Sequence, residues 1–398
     1  MGTIVIFSLE NINNAGEELL GTTTEWIIKQ VDSERHQIKR IQFYPKWQDM
    51  PYKYKIDFFI GNIFKWISLR LKGKDLEYKL RNLCYILQYK RYFMEEIKNA
   101  SYIIYAIGML KYSTQNFSYI YKLINTIASK YNIPVLMSAM SIEKRNDKDW
   151  RFHQLVGAVN MPCVKMITTR DGNDGLARLH KDYIHQHNIC TDFVGDPALW
   201  IPEVYNIKKM IHNDNKKKVV GIGLIRKGIY NDYHEENFSD EQMQNLYVEI
   251  ITELECRGYD WFLFCNGIKS DMSFGEKLLL DYSLPKTKLL SAPRSAEELL
   301  KIIINCDAIF GARLHACISS VALGIPVVGL LWDNKLDYFS RTMGIRQFFL
   351  SAMDLSGQNV VDKLESAMNY QFDQKSRDLY KQKTKECINL FMKNHHVK

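Results

Sequence analysis

No Cys-x-x-Cys pair occurs among the eight cysteines (Cys84, Cys163, Cys190, Cys256, Cys265, Cys306, Cys317 and Cys387), and no histidine lies at metal-ligand spacing from them. Neither a disulfide framework nor a zinc site follows, and no metal is expected. Cys265 ends the apolar run Trp261-Phe-Leu-Phe, and Cys306 precedes Asp307-Ala-Ile-Phe. Such thiols behave as small hydrophobes in a reducing compartment. No stretch reaches the roughly 18 uninterrupted apolar residues of a membrane span. The opening Met1-Gly-Thr-Ile-Val-Ile-Phe lacks the basic region and long apolar core of a signal peptide, so the cytoplasm is the expected location. Low complexity is absent too: 46% hydrophobic, 25% charged and 12% aromatic residues exclude a disordered chain. Charge is only mildly one-sided. Lys and Arg number 53 against 45 Asp and Glu, a net +8 that favours anionic partners but is too small to imply nucleic acid.

What is present is an alternation of short apolar, β-branched runs with longer amphipathic ones, the mark of parallel sheets wrapped by helices. Strands are expected at 3–8, 37–43, 102–107, 135–138, 164–168 and 192–194, and again at 218–225, 261–264, 288–291, 308–310 and 326–331. The polar stretch from Glu203 to the lysine run ending at Lys218 separates the two sets. The expected organisation is therefore α/β, with a Rossmann-like domain over 1–205, a second over 216–370, and a C-terminal helix over 371–398, the two domains facing each other across a cleft. Gly221-Ile-Gly223 is a strand interior and not a dinucleotide fingerprint, since no third glycine opens a helix.

From Gly61 to Phe93 the chain carries eight basic residues (Lys65, Arg70, Lys72, Lys74, Lys79, Arg81, Lys90, Arg91) against Asp75 and Glu77, interleaved with Phe64, Trp66, Tyr78 and Tyr85. The pattern suits an anionic membrane surface. An ordinary surface helix whose apolar face packs on a sheet and whose lysines are solvated is the preferred reading.

The most informative segment is 291–335. Ser295 and Glu298 form a capping-box pattern, Ala308 to Phe310 reads as a buried strand, Gly311-Ala312 as a tight turn, and Arg313-Leu-His315 as the start of a helix that Gly324 ends. Arg313 and His315 thus fall at the carboxyl edge of a parallel sheet and at a helix N-terminus, where an open α/β sheet places its ligand. Backbone N–H groups there attract anions, a guanidinium can grip a phosphate or carboxylate, and an imidazole titrates near neutrality. The same residues could instead make a structural ion pair and a helix cap. His180, His185 and His187 lie on or just after one helix without an evident carboxylate partner and read as surface residues.

Gly311-Ala-Arg-Leu-His-Ala316, followed by Leu323-Gly-Ile-Pro-Val-Val328 and Trp332-Asp-Asn-Lys335, resembles the signature of the polysaccharide pyruvyl transferase family. Thr169-Arg-Asp171, Val194-Gly-Asp-Pro-Ala198 and Asn13-Asn-Ala-Gly-Glu17 resemble further family segments in the same order. The chain departs from the pattern at Gly108, which stands alone where a glycine pair or triplet is usual, and at Trp332, where a tyrosine is usual. The resemblance implies a GT-B-like fold without a cofactor. It also implies transfer of pyruvate from phosphoenolpyruvate to two hydroxyls of one sugar in a cell-surface polysaccharide or its lipid-linked precursor, giving a cyclic ketal and phosphate. On this footing His315, Arg313 and Glu17 (preferred to Glu10, and contributed across the cleft) are the expected catalytic groups. Arg226, Lys335, Asn14, Gly16, Arg170 and Gly311 are the expected substrate contacts, with Arg170 near Asp171 and Asp196. The expected partners are phosphoenolpyruvate, a glycan or lipid-linked saccharide, and peripherally the inner face of the cell membrane. Two alternatives stay open: a GT-B-like glycosyltransferase using a nucleotide sugar, from which the missing Glu-x7-Glu pattern leans away, and a non-catalytic subunit that has kept the fold.

Overall fold

The computed structural model describes residues 2–10, 14–68, 74–113, 117–186, 188–207, 217–230 and 238–395. Lys216 of the expected linker, Asn13, Arg70, Lys72 and His187 lie outside them.

The first sheet contains β1 (Thr3–Ser8), β2 (Gln37–Gln42), β3 (Ala100–Ala106), β4 (Met109–Leu110), β5 (Val135–Ile142), β6 (Val164–Thr169) and β7 (Cys190–Phe193). Its order is β2-β1-β3-β5-β6-β7, with β4 paired to β5, and every pairing is parallel. Strands covered on both faces read as continuous apolar runs, and β5 is buried at all eight positions. The aromatic core of this unit forms where Phe7 meets Phe93 at 5.5 Å and Tyr105 at 5.6 Å between ring centroids. Phe93 and Tyr89 bring helix Lys74–Ile97 onto this core.

The second sheet holds β8 (Val219–Gly223), β9 (Asp260–Phe264), β10 (Ala308–Gly311), β11 (Val327–Leu330) and β12 (Phe349–Leu350), ordered β12-β11-β10-β8-β9 and again wholly parallel. Counted from its own first strand the order is two-one-three-four-five, which reverses direction between β8 and β10. The strand expected at 288–291 is not formed. Leu289 makes a single bridge to Leu263, and the flanking Pro285 and Pro293 lack the N–H groups a ladder needs. The two-residue β12 was not expected from the sequence.

The chain divides into two compact units, but not at the polar stretch. One unit is Met1–Asn11, Ile27–Val194 and Lys385–Lys398, and the other is Ile12–Trp26 and Gly195–Thr384. Helices Ala15–Val31 and Gln374–Asn394 are each shared between the units. The reason is local bonding that composition does not reveal. Ala15 N–H donates to the Asn266 carbonyl (2.9 Å), and Glu18 Oε2 accepts the Ala296 N–H (2.9 Å), which ties the start of the first helix to the second unit.

Helix Leu314–Leu323 ends at Gly324 as expected, with φ +70° and N–H groups returned to the last turn. Any L side chain there is strained, by about 1 kcal/mol for alanine, although space for a Cβ is open. Gly324→Ala should therefore lower stability in urea by about 1 kcal/mol, and Gly324→Asn by less, because asparagine tolerates the left-handed region. An unchanged midpoint for the alanine variant would contradict this account of the cap.

Candidate active site

The chain leaves the carboxyl edge of the second sheet twice at the point where strand order reverses: after β8 through Leu224, Ile225 and Arg226, and after β10 through Ala312 and Arg313. Between these loops, on the first turn of helix Lys269–Asp281, sits Asp271, with 0% of its surface exposed. Its Oδ2 accepts from Arg313 Nε (2.8 Å), and its Oδ1 accepts from Arg313 Nη2 (2.7 Å) and from the Arg226 backbone N–H (2.9 Å). Asp271 thus fixes both loops at once. Arg313 is also bounded by Trp332, whose ring centre is 5.7 Å from the guanidinium carbon and whose indole N–H donates to the Ala312 carbonyl (2.6 Å). Beneath the β8 loop, the Tyr247 hydroxyl accepts the Ile225 N–H and donates to the Gly223 carbonyl, both at 3.1 Å. Burial pushes that phenol above its ordinary range, so it stays protonated.

Arg313 is the N-cap of helix Leu314–Leu323, and His315, 6% exposed, is on its first turn. Against the imidazole lies Gly16. A Cβ built on Gly16 would stand 2.5 Å from both Cβ and Nδ1 of His315, a separation that real side chains do not tolerate. The preceding Asn14 closes the helix start, its Oδ1 accepting the Gly16 N–H (3.2 Å) and its carbonyl the Glu17 N–H (3.0 Å). Glu17 is buried as well. The loop expected from the N-terminal domain is therefore a member of the same compact unit as His315. Its backbone bonds to Asn266 and Asn14 and its seat on the imidazole explain this.

The other expected positions sort clearly. Gly311 ends β10 directly before the Arg313 turn. Arg226 donates through Nη1 to the Lys227 carbonyl (3.1 Å). Lys335 is on the first turn of helix Asn334–Thr342, beyond β11, where Asp333 caps its N–H (3.2 Å). Arg170 belongs to the other unit, where its Nη2 donates to the carbonyl of the lone Gly108 (2.9 Å). Asp171 there accepts from Ser141 Oγ (2.9 Å) and the Ile142 N–H (2.7 Å), whereas Asp196, in the second unit, caps Ala198 (2.8 Å). Glu10 accepts from Ser8 and pairs with Arg40 at 3.0 Å. His180 shares a bond with Thr191 Oγ1 (2.8 Å). Ser295 caps its helix, but Glu298 reaches the Arg294 N–H (2.8 Å), so only half of the expected box forms in that register. Asp271 itself escaped the sequence. An acidic residue in a first helical turn has a sufficient local explanation in the helix dipole, and nothing marks its partner 42 residues away.

A model of the polysaccharide pyruvyl transferase family matches residues 14–334. The chain belongs to the polysaccharide pyruvyl transferase family. It is accordingly a transferase of polysaccharide biosynthesis with a saccharide acceptor. No curated protein matches it by sequence. Among solved structures it is similar to the UDP-GlcNAc 2-epimerase of Methanocaldococcus jannaschii, with a TM-score of 0.61 at 12% identity over 99% of this chain and 100% of that one. It is also similar to the UDP-GlcNAc 2-epimerase of Neisseria meningitidis bound to UDP-GlcNAc, with a TM-score of 0.56 at 10% identity over 99% and 100%. The N-terminal domain of Candida albicans trehalose-6-phosphate phosphatase follows at 0.51 and 9%, over 99% and 98%. At such identities the likeness shows the fold alone, which is GT-B-like: α/β with two parallel sheets.

Two consequences are measurable. Asp271→Ala strands a largely buried guanidinium and should lower the unfolding free energy by about 3 kcal/mol, with Asp271→Asn intermediate, in chemical denaturation. Gly16→Ala forces the first helix off the imidazole and should cost about 1–3 kcal/mol. Wild-type stability in either alanine variant would show that the contact does not hold the site.

Proposed function

We propose that this family member transfers the pyruvyl group of phosphoenolpyruvate to two hydroxyls of one sugar, closing a cyclic ketal and releasing phosphate. The observation that carries the proposal is the placement of Arg313 and His315 at one helix N-terminus, on the switch point of the second sheet, in a chain whose family match spans 14–334. Phosphoenolpyruvate brings a phosphate and a carboxylate. Asp271 already pairs with Arg313, and Arg226, Lys335 and the N–H groups of the helix terminus are assigned as further contacts for the two anionic groups of the donor. Arg313 serves this site as a fixed donor through Nη1, its Nε and Nη2 being engaged by Asp271.

The reaction needs a proton delivered to the methylene carbon, which turns C2 into an oxocarbenium-like centre. One sugar hydroxyl adds to C2 and gives up its proton. Phosphate then departs with the C2–O bonding pair, and the second hydroxyl adds to the renewed cation and passes its proton to the released phosphate, so that two C–O bonds and one C–H bond form as one C–O bond and the C=C π bond break. His315 and Glu17, on adjoining helix starts, are assigned the acid and base roles. No cofactor is required. The acceptor class is a glycan of the cell surface or its lipid-linked precursor, used on the cytoplasmic face. Burial of Cys84, Cys163, Cys265, Cys306, Cys317 and Cys387 as free thiols supports a reducing compartment.

Purified protein incubated with phosphoenolpyruvate and candidate glycans or lipid-linked sugars should yield an acid-labile mass gain on the glycan and equimolar phosphate. His315→Ala should lower kcat by roughly 100-fold or more with the fold intact. Arg226→Ala and Lys335→Ala should each raise KM for the donor about ten-fold. Product formation only from nucleotide sugars, or full activity in the His315 variant, would overturn the assignment.

A further inference from the structure

Helix Lys55–Ser68 faces the wrong way for a helix of a water-soluble surface. Its small residue points inward: Gly61 sits on the helix Lys74–Ile97 backbone, where an added Cβ would stand 2.8 Å from the Cys84 carbonyl, and beside it the exposed Asn62 accepts from Gln88 Nε2 (3.0 Å). Phe58 completes this contact, against Tyr89 and Trp47, each at 5.8 Å between ring centroids. Outward, at the three- and four-residue spacing of a single helical face, stand Ile56 (64% exposed), Phe59 (58%), Ile60 (39%), Ile63 (44%), Trp66 (54%) and Ile67 (39%). Among the described side chains of the helix, the charged Lys55 and Asp57 are half-buried and are not among these exposed residues. A contiguous apolar face of this size marks an interaction surface.

The flanks are basic. Lys53 and Arg91 are 59% and 55% exposed, Lys90 is exposed, and Lys55 lies over the Trp47 ring at 5.3 Å, although Glu95 is shared by Lys53 and Arg91 and Asp57 of the helix lies 3.8 Å from Arg91. In sequence, 61–93 carries its eight cations against two acids. At 14 residues the helix is too short to span a bilayer, and no helix of the described residues is long and apolar enough to do so. An apolar stripe edged by Lys and Arg is the build of a helix that lies in the membrane interface. A second copy of the chain fits less well, since a self-complementary contact would bring the same cations together.

We propose that the outward face of helix Lys55–Ser68 docks the protein on an anionic membrane, with Ile56, Phe59, Ile60, Ile63, Trp66 and Ile67 entering the acyl boundary and the flanking cations meeting lipid phosphates. In its exposure and charge this surface is independent of the donor chemistry. It would bring the active site to a lipid-linked acceptor.

The test uses the full chain without substrate, sedimented with vesicles of phosphatidylcholine alone or mixed with phosphatidylglycerol. Binding should be about ten-fold stronger on the anionic vesicles and fall with salt, and the double variant Ile60→Glu, Ile63→Glu should lose it by about ten-fold or more. The variant should keep the wild-type thermal midpoint and unchanged turnover of a soluble saccharide. Equal sedimentation of wild type and variant, no binding to anionic vesicles, or a dimer in light scattering that the variant dissolves would each overturn the membrane surface. Vesicle binding in a protein without pyruvyl transfer would instead count against the reading of activity alone.

Discussion

The buried carboxylate of Asp271 is the constraint on which the site depends. It arrives on the helix that follows β9, yet it fixes the loops after β8 and β10, so three separate crossovers of the second sheet meet at one side chain. Taking an ion pair out of water costs several kcal/mol per charge, and only good geometry with further hydrogen bonds offsets it. Here a two-point guanidinium fork and a backbone N–H provide that geometry. The outcome is an arginine whose orientation is set before any ligand arrives. Preorganised donors of this kind favour charge that develops during a reaction, because they need no rearrangement at that moment.

The same pairing changes the charge balance of the site. An arginine read from sequence counts as a full positive charge, whereas one clasped by a buried aspartate contributes direction and little net field. The guanidinium therefore gives the candidate site less net field than its sequence position alone suggests. Trp332 belongs to this arrangement: its ring closes one side of the guanidinium, and its indole N–H holds the turn that carries it. A tyrosine in its place would present no N–H to that carbonyl.

Much of the fold was legible because parallel strands advertise themselves as apolar runs. β1, β8, β10 and β11 fall where composition placed them, and Gly324 closes its helix as a left-handed cap should. The location of Arg313 and His315 was legible for the same reason, since a glycine turn after a buried strand is a local signal. Legibility ended where the decisive contact was distant in sequence. Asp271 carries no motif, and the seat of Gly16 on His315 joins residues from opposite ends of the chain. Helix Lys55–Ser68 was legible only in its second half, within the basic and aromatic stretch that begins at Gly61, because its apolar residues are so nearly continuous that no inward face could be chosen from pattern alone.

The division of the chain into units bears on its assembly during synthesis. A ribosome releases the chain from the N-terminus, and contiguous domains fold as they emerge. Neither unit here is contiguous. Residues 12–26 belong with a unit that resumes only at Gly195, and the first unit lacks its segment from Lys385 until the whole stretch from Gly195 to Thr384 has been made. The start of helix Ala15–Val31, with Gly16 waiting for His315, stays without its native surroundings through most of translation. Loop closure over such separations is slow. The contact between Gly16 and His315 is therefore a late event, possible only after about three hundred intervening residues have been made.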